Sequence, residues 1–168
     1  MSENVKYEYG CVMAMVNESF SEKIIEIGKK LITDDILYSE KGQEYGRETE
    51  PHVTIKFGLT ENYSKNTIGK LISEINPFKI TLVAIDIFSN PKFDVVKFNV
   101  ESDVLKKLNS LFSKLPNEDE YPTYHPHMTL AYVKTGEGKR FKKKINPIQL
   151  SINRIKYSNP TAKYYYEL

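Results

Sequence analysis

One seven-residue pattern occurs twice in this chain. Pro51-His52-Val53-Thr54-Ile55-Lys56-Phe57 and Pro126-His127-Met128-Thr129-Leu130-Ala131-Tyr132 share the pattern Pro, His, apolar, Thr, apolar, variable, aromatic. Thr accounts for 10 of the 168 residues. Two chosen histidines would therefore both carry Thr two places on by accident about 0.4% of the time, and three ways of choosing the pair raise this to about 1%. The fold must accordingly build the same strand at two places. On a strand, positions i and i+2 share a face, so each copy sets an imidazole beside a hydroxyl, while Val53 and Ile55, or Met128 and Leu130, pack behind. Two such strands facing each other would converge on one small anion.

The segments around and between the copies supply the rest of the architecture. Tyr7, Tyr9, Cys11, Met13 and Met15 alternate with Glu8, Gly10, Val12, Ala14 and Val16, mostly apolar on both faces, as in a buried strand. Ser19 and Glu22 form a capping box ahead of a helix carrying Phe20, Ile24, Ile27 and Leu31, which stops at Asp34-Asp35. Residues 38–50 are polar and contain glycine, and read as a loop. After the first string, Ser64 opens a helix with Ile68, Leu71, Ile72 and Ile75. Residues 78–88 and 93–100 form a hairpin turning through Pro91, and Ser102 caps a third helix with Val104, Leu108, Leu111, Phe112 and Leu115. A strand over 127–133, a basic loop over 134–144, a strand over 148–157 and a tyrosine-rich C-terminal strand complete the order β-α-β-α-ββ-α-β-ββ. This is an α+β domain with helices covering sheets, expected to span 1–168 as one unit.

Composition narrows the function. The chain is 40% hydrophobic and 27% charged, enough for a core without covalent staples. Its one cysteine, Cys11, permits no intramolecular disulfide, and the apolar run 11–16 is too brief for a signal segment or a membrane span, so a soluble, reducing, cytoplasmic setting with no membrane partner is expected. A net charge of +2 gives no field that would recruit a nucleic-acid polyanion, so any affinity for phosphate has to be local.

The paired strings suit a phosphodiester. One neutral imidazole takes a proton from an attacking hydroxyl, the other, protonated, gives one to the leaving oxygen, and the threonine hydroxyls hold the non-bridging oxygens as charge accumulates. No cofactor is required. A zinc site built on His52, His125 and His127 is the competing use of the same histidines. It ranks below, because Pro126 separates two of them, no Cys or carboxylate sits at ligand spacing, and zinc gives no reason for a Thr after two of the three.

Three segments, Tyr9-Gly10-Cys11-Val12-Met13-Ala14, residues 45–58 with the first string, and Tyr124-His125-Pro126-His127-Met128-Thr129-Leu130-Ala131-Tyr132-Val133, resemble the small phage and bacterial branch of the 2H phosphoesterase superfamily, the LigT or 2′-5′ RNA ligase-like proteins. The resemblance implies a bilobal fold, two pseudo-symmetric antiparallel β-sheet lobes with outer helices and a central cleft. It implies a metal-independent phosphodiesterase acting on 2′,3′-cyclic phosphates, 2′-5′ linkages or, as in phage counter-defence, cyclic oligonucleotide signals. By position, the catalytic pair falls on His52 and His127 and the phosphate-holding hydroxyls on Thr54 and Thr129.

Tyr9 and Tyr124 are candidates for stacking a nucleobase. Lys56, expected on the strand face of His52 and Thr54, would add charge at the phosphate, and Arg47 and Glu48 precede the motif where a guanidinium could hold phosphate and a carboxylate could orient a histidine. The run Lys139, Arg140, Lys142, Lys143 and Lys144 would serve a short RNA in an RNA-processing enzyme. The expected partner is a small nucleotide, a cyclic oligonucleotide or a short RNA, bound by a monomer. A protein that sequesters nucleotides without turnover would use the same cleft, but two titrating groups favour catalysis over binding alone.

Overall fold

The computed structural model describes residues 8–43, 45–119 and 121–168. The first strand, β1, covers Gly10–Val16, and Tyr7 of the alternating run lies outside the described residues. Helix α1 (Glu18–Leu31) is capped by Asn17, whose side chain accepts the Phe20 N–H at 3.0 Å, and not by Ser19. Ser19 instead donates to the same Asn17 oxygen at 3.1 Å. Asn caps as well as Ser, and it comes first. Strand β2 (His52–Leu59) holds the first string, and α2 (Lys65–Leu71) is capped by Ser64 as expected. This second helix closes before Ile75, since Pro77 disfavours helical backbone ahead of it.

Strands β3 (Phe78–Ser89) and β4 (Phe93–Glu101) form the predicted hairpin, its turn held by Asn90 Oδ1, which accepts the N–H groups of Lys92 and Phe93. Helix α3 (Asp103–Phe112) is capped by Ser102, and the second string opens β5 (His127–Lys134). Strand β6 (Lys143–Ser158) starts five residues earlier than the sequence suggested. Pro147 has no N–H to give, and the ladder slips around it: Leu82 pairs with Ile148 and Ala84 with Lys144. Strand β7 (Lys163–Glu167) is the tyrosine-rich terminus.

The strands form one antiparallel sheet in the order β2-β1-β6-β3-β4-β5, with β7 also on β6. One edge of β6 pairs with β1 through residues 152–158; the other pairs with β3 through residues 143–152 and with β7 through residues 154–158. The two lobes are therefore β2-β1-β6-β7 and β6-β3-β4-β5, sharing β6. The end strands of the sheet, β2 and β5, pack against each other. Helix α1 leaves β1 yet packs on β5, and α3 leaves β4 yet packs on β2. Each helix thus crosses to the opposite lobe and draws the two motif strands together over a common core that includes Val12, Ala14, Val53, Ile55, Leu105, Met128 and Val133.

Within the stretch 38–50, read as a loop, Tyr38 and residues 46–48 run along the outer edge of β5. The Tyr38 N–H donates to the Tyr132 carbonyl, the Tyr132 N–H to Gly46, and the Glu48 N–H to Leu130, which closes an edge that would otherwise be open to strand addition. Among the described residues no helix is long and apolar enough to cross a membrane.

Candidate active site

The two strings are alike in detail that sequence alone does not display. On β2, Thr54 pairs with Met13 and Lys56 with Val12, so Ile55 is an extra residue in the ladder; on β5, Thr129 pairs with Lys97 and Ala131 with Val96, so Leu130 is extra. Each motif threonine is thus followed by a β-bulge, which bends the strand and re-aims its side chains. The bulged carbonyls are both satisfied: Ile55 accepts from Asn109 Nδ2 at 2.8 Å and Leu130 from the Glu48 N–H at 2.8 Å.

The histidines share a second feature. His52 Nδ1 lies 2.7 Å from the Glu50 carbonyl and His127 Nδ1 2.9 Å from the His125 carbonyl. A carbonyl only accepts, so each Nδ1 carries the proton and each Nε2 is the atom that exchanges one. Both rings, and both threonines, are half-buried.

The lobes differ in what stands beside the motifs. Opposite His52 and Thr54 are Met15 and Met13; opposite His127 and Thr129 are Asn99 and Lys97. Burial holds the His127 imidazole below the usual histidine range, and the charges of Lys97, His52 and His125 push the same way, against the raising effect of its bond to the His125 carbonyl. Its surroundings therefore favour the neutral imidazole, the form that accepts a proton. Phe88 meets its ring edge to face, with centroids 4.9 Å apart.

The profile of the 2′-5′ RNA ligase superfamily matches residues 24–157. The chain belongs to that superfamily. Membership makes this 2H phosphoesterase a hydrolase of the phosphodiesterase class. No curated protein matches the sequence. Among solved structures, Kluyveromyces marxianus Usb1 with uridine monophosphate is similar at 12% identity and a TM-score of 0.60, covering 98% of this chain and 100% of its own. E. coli LigT complexed with 3′-AMP has 14% identity and a TM-score of 0.59 over 96% and 94% of the two chains. TT0787 of Thermus thermophilus has 16% identity and a TM-score of 0.56 over 95% and 94%. At these identities the likeness concerns the fold, and it agrees with the bilobal architecture expected of a LigT-like chain.

Within this 2H phosphoesterase the remaining candidates separate. Lys56 does not share the face of His52 and Thr54. The bulge at Ile55 shifts the alternation by one, so Lys56 pairs with core residue Val12 and lies 3.0 Å from Asp119 Oδ2, buried. Its counterpart in the second string, Ala131, is wholly buried as well. Asp119 reaches it because the chain at 118–119 passes tightly over Gly58, where φ is +83° and a Cβ would stand 3.2 Å from the Asp119 nitrogen. Phe57 takes the cleft-side place instead, exposed and edge-on to Tyr9, with ring centroids 5.9 Å apart.

Arg47 turns away from the cleft: it pairs with Asp34 at 2.5 Å and donates to the Ile32 carbonyl, anchoring the strip along β5. Glu48 accepts from the Glu50 N–H at 3.1 Å, which braces the turn whose carbonyl holds His52. Tyr124 is half-buried, and its hydroxyl donates to the Thr54 carbonyl at 2.8 Å. It ties the approach to β5 onto β2, and burial raises its phenol well above the usual range. Its hydroxyl thus serves as a tie between the two motif strands.

Of the basic run, Arg140 pairs with Glu137, Lys142 lies 3.6 Å from Asp86, and Lys143 and Lys144 begin β6. Buried Asp94 accepts from the Gly136 and Gly138 N–H groups at 3.0 Å each and fixes this loop. Burial pushes the Cys11 thiol up to about 12 against a smaller lowering effect of the Thr54 side chain, so it stays protonated. His125 is exposed and precedes β5. Among the described residues no three His, Cys, Asp or Glu side chains gather where they could hold a metal ion.

Lys97, Asn99, Phe88 and Lys156 were missed in the sequence. The signal for the first two was present: in Val96-Lys97-Phe98-Asn99-Val100, polar residues alternate with core residues, which marks a strand with one polar face.

Proposed function

We propose that the chain cleaves ribonucleotide phosphodiesters by proton transfer between two histidines, with His127 as the base and His52 as the acid. The observation that carries this is the matched Nδ1-to-carbonyl bonding of the two rings, which leaves two Nε2 atoms free on strands that pack together. The lowering of the His127 imidazole by burial supports it as the group that accepts the proton. In the first step, His127 Nε2 takes the proton from a ribose hydroxyl adjacent to the phosphorus. The oxygen then forms a P–O bond, the bond to the neighbouring nucleoside's ribose oxygen breaks, and His52 Nε2 gives its proton to that leaving oxygen. A hydroxyl held beside its phosphorus has an effective molarity of up to roughly 10⁵–10⁸ M, which favours it over water for an unstrained diester.

The product is a 2′,3′-cyclic phosphate, which water opens by the same two groups in reversed roles. The Thr54 and Thr129 hydroxyls hold the non-bridging oxygens. Side chains of the chain supply every proton and every anion contact in this scheme, so it needs no metal, and a monomer suffices. The substrate class includes 3′-5′ and 2′-5′ linked oligonucleotides, linear or cyclic; a counter-defence role would follow from turnover of a cyclic oligonucleotide signal.

The test is incubation with 3′-5′ and 2′-5′ linked ribodinucleotides, cyclic oligonucleotides and matched substrates lacking the adjacent hydroxyl (2′-deoxy for 3′-5′, 3′-deoxy for 2′-5′ linkages), with and without excess EDTA, read by mass spectrometry. A cyclic-phosphate first product, formed only from the ribo substrates and unaffected by EDTA, is expected. Incorporation of solvent ¹⁸O into the first product, or equal cleavage of ribo and deoxy 3′-5′ substrates, would refute the internal nucleophile. Binding without turnover would refute catalysis.

A further inference from the structure

Two lysines on the cleft face of the sheet are buried without the close carboxylate that Lys56 has. Lys97 is 5% exposed and Lys156 is 8% exposed. Lys97 Nζ donates to Asn99 Oδ1 at 2.6 Å and sits over the Phe88 ring, 4.1 Å from its centroid. Lys156 Nζ is 3.6 Å from Glu50 Oε1 and 5.6 Å from the centroid of the Tyr165 ring. Buried lysines are rare unless paired, and Lys97 makes no ion pair among the described residues.

The ladder fixes which way these side chains face. Directly opposed residues share a face of the sheet, and one row runs Thr54, Met13, Lys156, Tyr165 across β2, β1, β6 and β7. The other runs Thr129, Lys97, Asp86 across β5, β4 and β3, with Phe88 two residues along β3 on the same face. Each motif threonine therefore heads a row that leads to a lysine and a ring. Phe88 and Tyr165 are 42% and 44% exposed, unusual for large apolar rings, so each has an open surface beside a cation. Three strand spacings place Tyr165 about 14 Å from β2 along the sheet, whereas Phe88 touches His127 itself.

We propose that the cleft holds one nucleoside on each side of the reacting phosphate, on two separate platforms, Phe88 with Lys97 in the His127 lobe and Tyr165 with Lys156 in the His52 lobe. The substrate is then a chain of at least two nucleotides, and a 2′,3′-cyclic mononucleotide fills only half of the site. This rests on the proposed division of labour, which also orients the substrate. The nucleoside that donates its hydroxyl to His127 lies on Phe88, and the leaving nucleoside protonated by His52 lies on Tyr165. Aromatic rings stack all bases, and cations beside them favour the flanking phosphates, so the platforms select length and polarity before base identity.

The test measures binding by calorimetry, so that it does not depend on turnover. The probes are the 2′-deoxy dinucleotide of adenine in 3′-5′ linkage, which lacks the nucleophile, and adenosine 3′-monophosphate. Wild type, Phe88→Ala, Tyr165→Ala and Phe57→Ala are compared, each checked for folding by circular dichroism. Loss of one stacked base corresponds to roughly 5- to 150-fold in Kd. Both Phe88→Ala and Tyr165→Ala should weaken the dinucleotide by that factor, and only Phe88→Ala should weaken the monophosphate. Unchanged dinucleotide affinity in both variants, or a loss confined to Phe57→Ala, would overturn the platforms while leaving the two-histidine chemistry intact. Absence of turnover of the corresponding ribodinucleotide, alongside the expected binding pattern, would overturn the chemistry and leave the platforms standing.

Discussion

Replacing Lys56 with Met should unsettle the fold and spare the chemistry. The ammonium is 3.0 Å from Asp119, and the two side chains are 7% and 15% exposed. Removing one partner of a buried pair leaves the other uncompensated, and because Asp119 retains some contact with solvent the loss should be about 2–4 kcal/mol, near the lower end for such pairs. For a chain of this size that is a fall of about 5–15 °C in Tm. Burial alone would raise the Asp119 carboxyl, but the Tyr121 N–H and Lys56 more than reverse this and hold it below the usual carboxylate range. The stability it contributes is complete above its unfolded value of about 4 and is lost as pH falls through the lower folded value. The difference between wild type and variant should therefore narrow in acid. Urea melts at neutral and acidic pH give the stability, and kcat/KM on a ribodinucleotide, measured well below the transition, gives the activity. Lys56→Met with Asp119→Leu should recover much of the loss. Wild-type stability with kcat/KM reduced tenfold or more would put Lys56 in the cleft and refute the face assigned by the bulge.

Three further outcomes follow from the same geometry. Lys97→Met places in the His127 lobe what Met13 already is in the other; with the cation gone His127 gains a proton more readily, so the acid limb of the kcat/KM profile moves to higher pH, and a limb that stays or moves down contradicts the coupling. Tyr124→Phe removes the hydroxyl that satisfies the Thr54 carbonyl and should cost about 1–2 kcal/mol in chemical denaturation. Asn17→Ala should cost about 1 kcal/mol and Ser19→Ala less, a ranking that urea melts can reverse if Ser19 is the true cap.

The order of elements was legible because it depends on period and on caps that act locally. Ser64 and Ser102 cap their helices as read, the alternating run read over 7–16 holds as β1 from Gly10, and the strand read over 93–100 holds as β4. The pairing of His with Thr on one face was legible too, because nothing interrupts the alternation between them. What failed lies one residue beyond. A bulge is a property of two strands and not of one, so the step from Thr54 to Lys56 could not be read from β2 alone. The partners of Arg47 and Tyr124 were not legible for a similar reason: Asp34, the Ile32 carbonyl and the Thr54 carbonyl are brought near by the packing around β2 and β5. Lys156 gave no local signal, since its neighbours Met13 and Tyr165 come from the two ends of the chain.

The assignment of base and acid is tested most directly by changing the leaving group. A ribonucleoside 3′-(4-nitrophenyl phosphate) releases a stabilised phenolate that needs no proton, whereas a ribodinucleotide releases an alkoxide that does. Single-turnover rate constants at saturating enzyme should be measured for both substrates with wild type, His52→Ala and His127→Ala, folding being confirmed for each. His52→Ala should lose roughly 10²–10⁴-fold on the dinucleotide and regain most of it on the nitrophenyl ester, while His127→Ala should lose a comparable factor on both. Rescue of His127→Ala in place of His52→Ala would exchange the two roles, and a wild-type rate on the dinucleotide in either variant would contradict two-histidine catalysis itself.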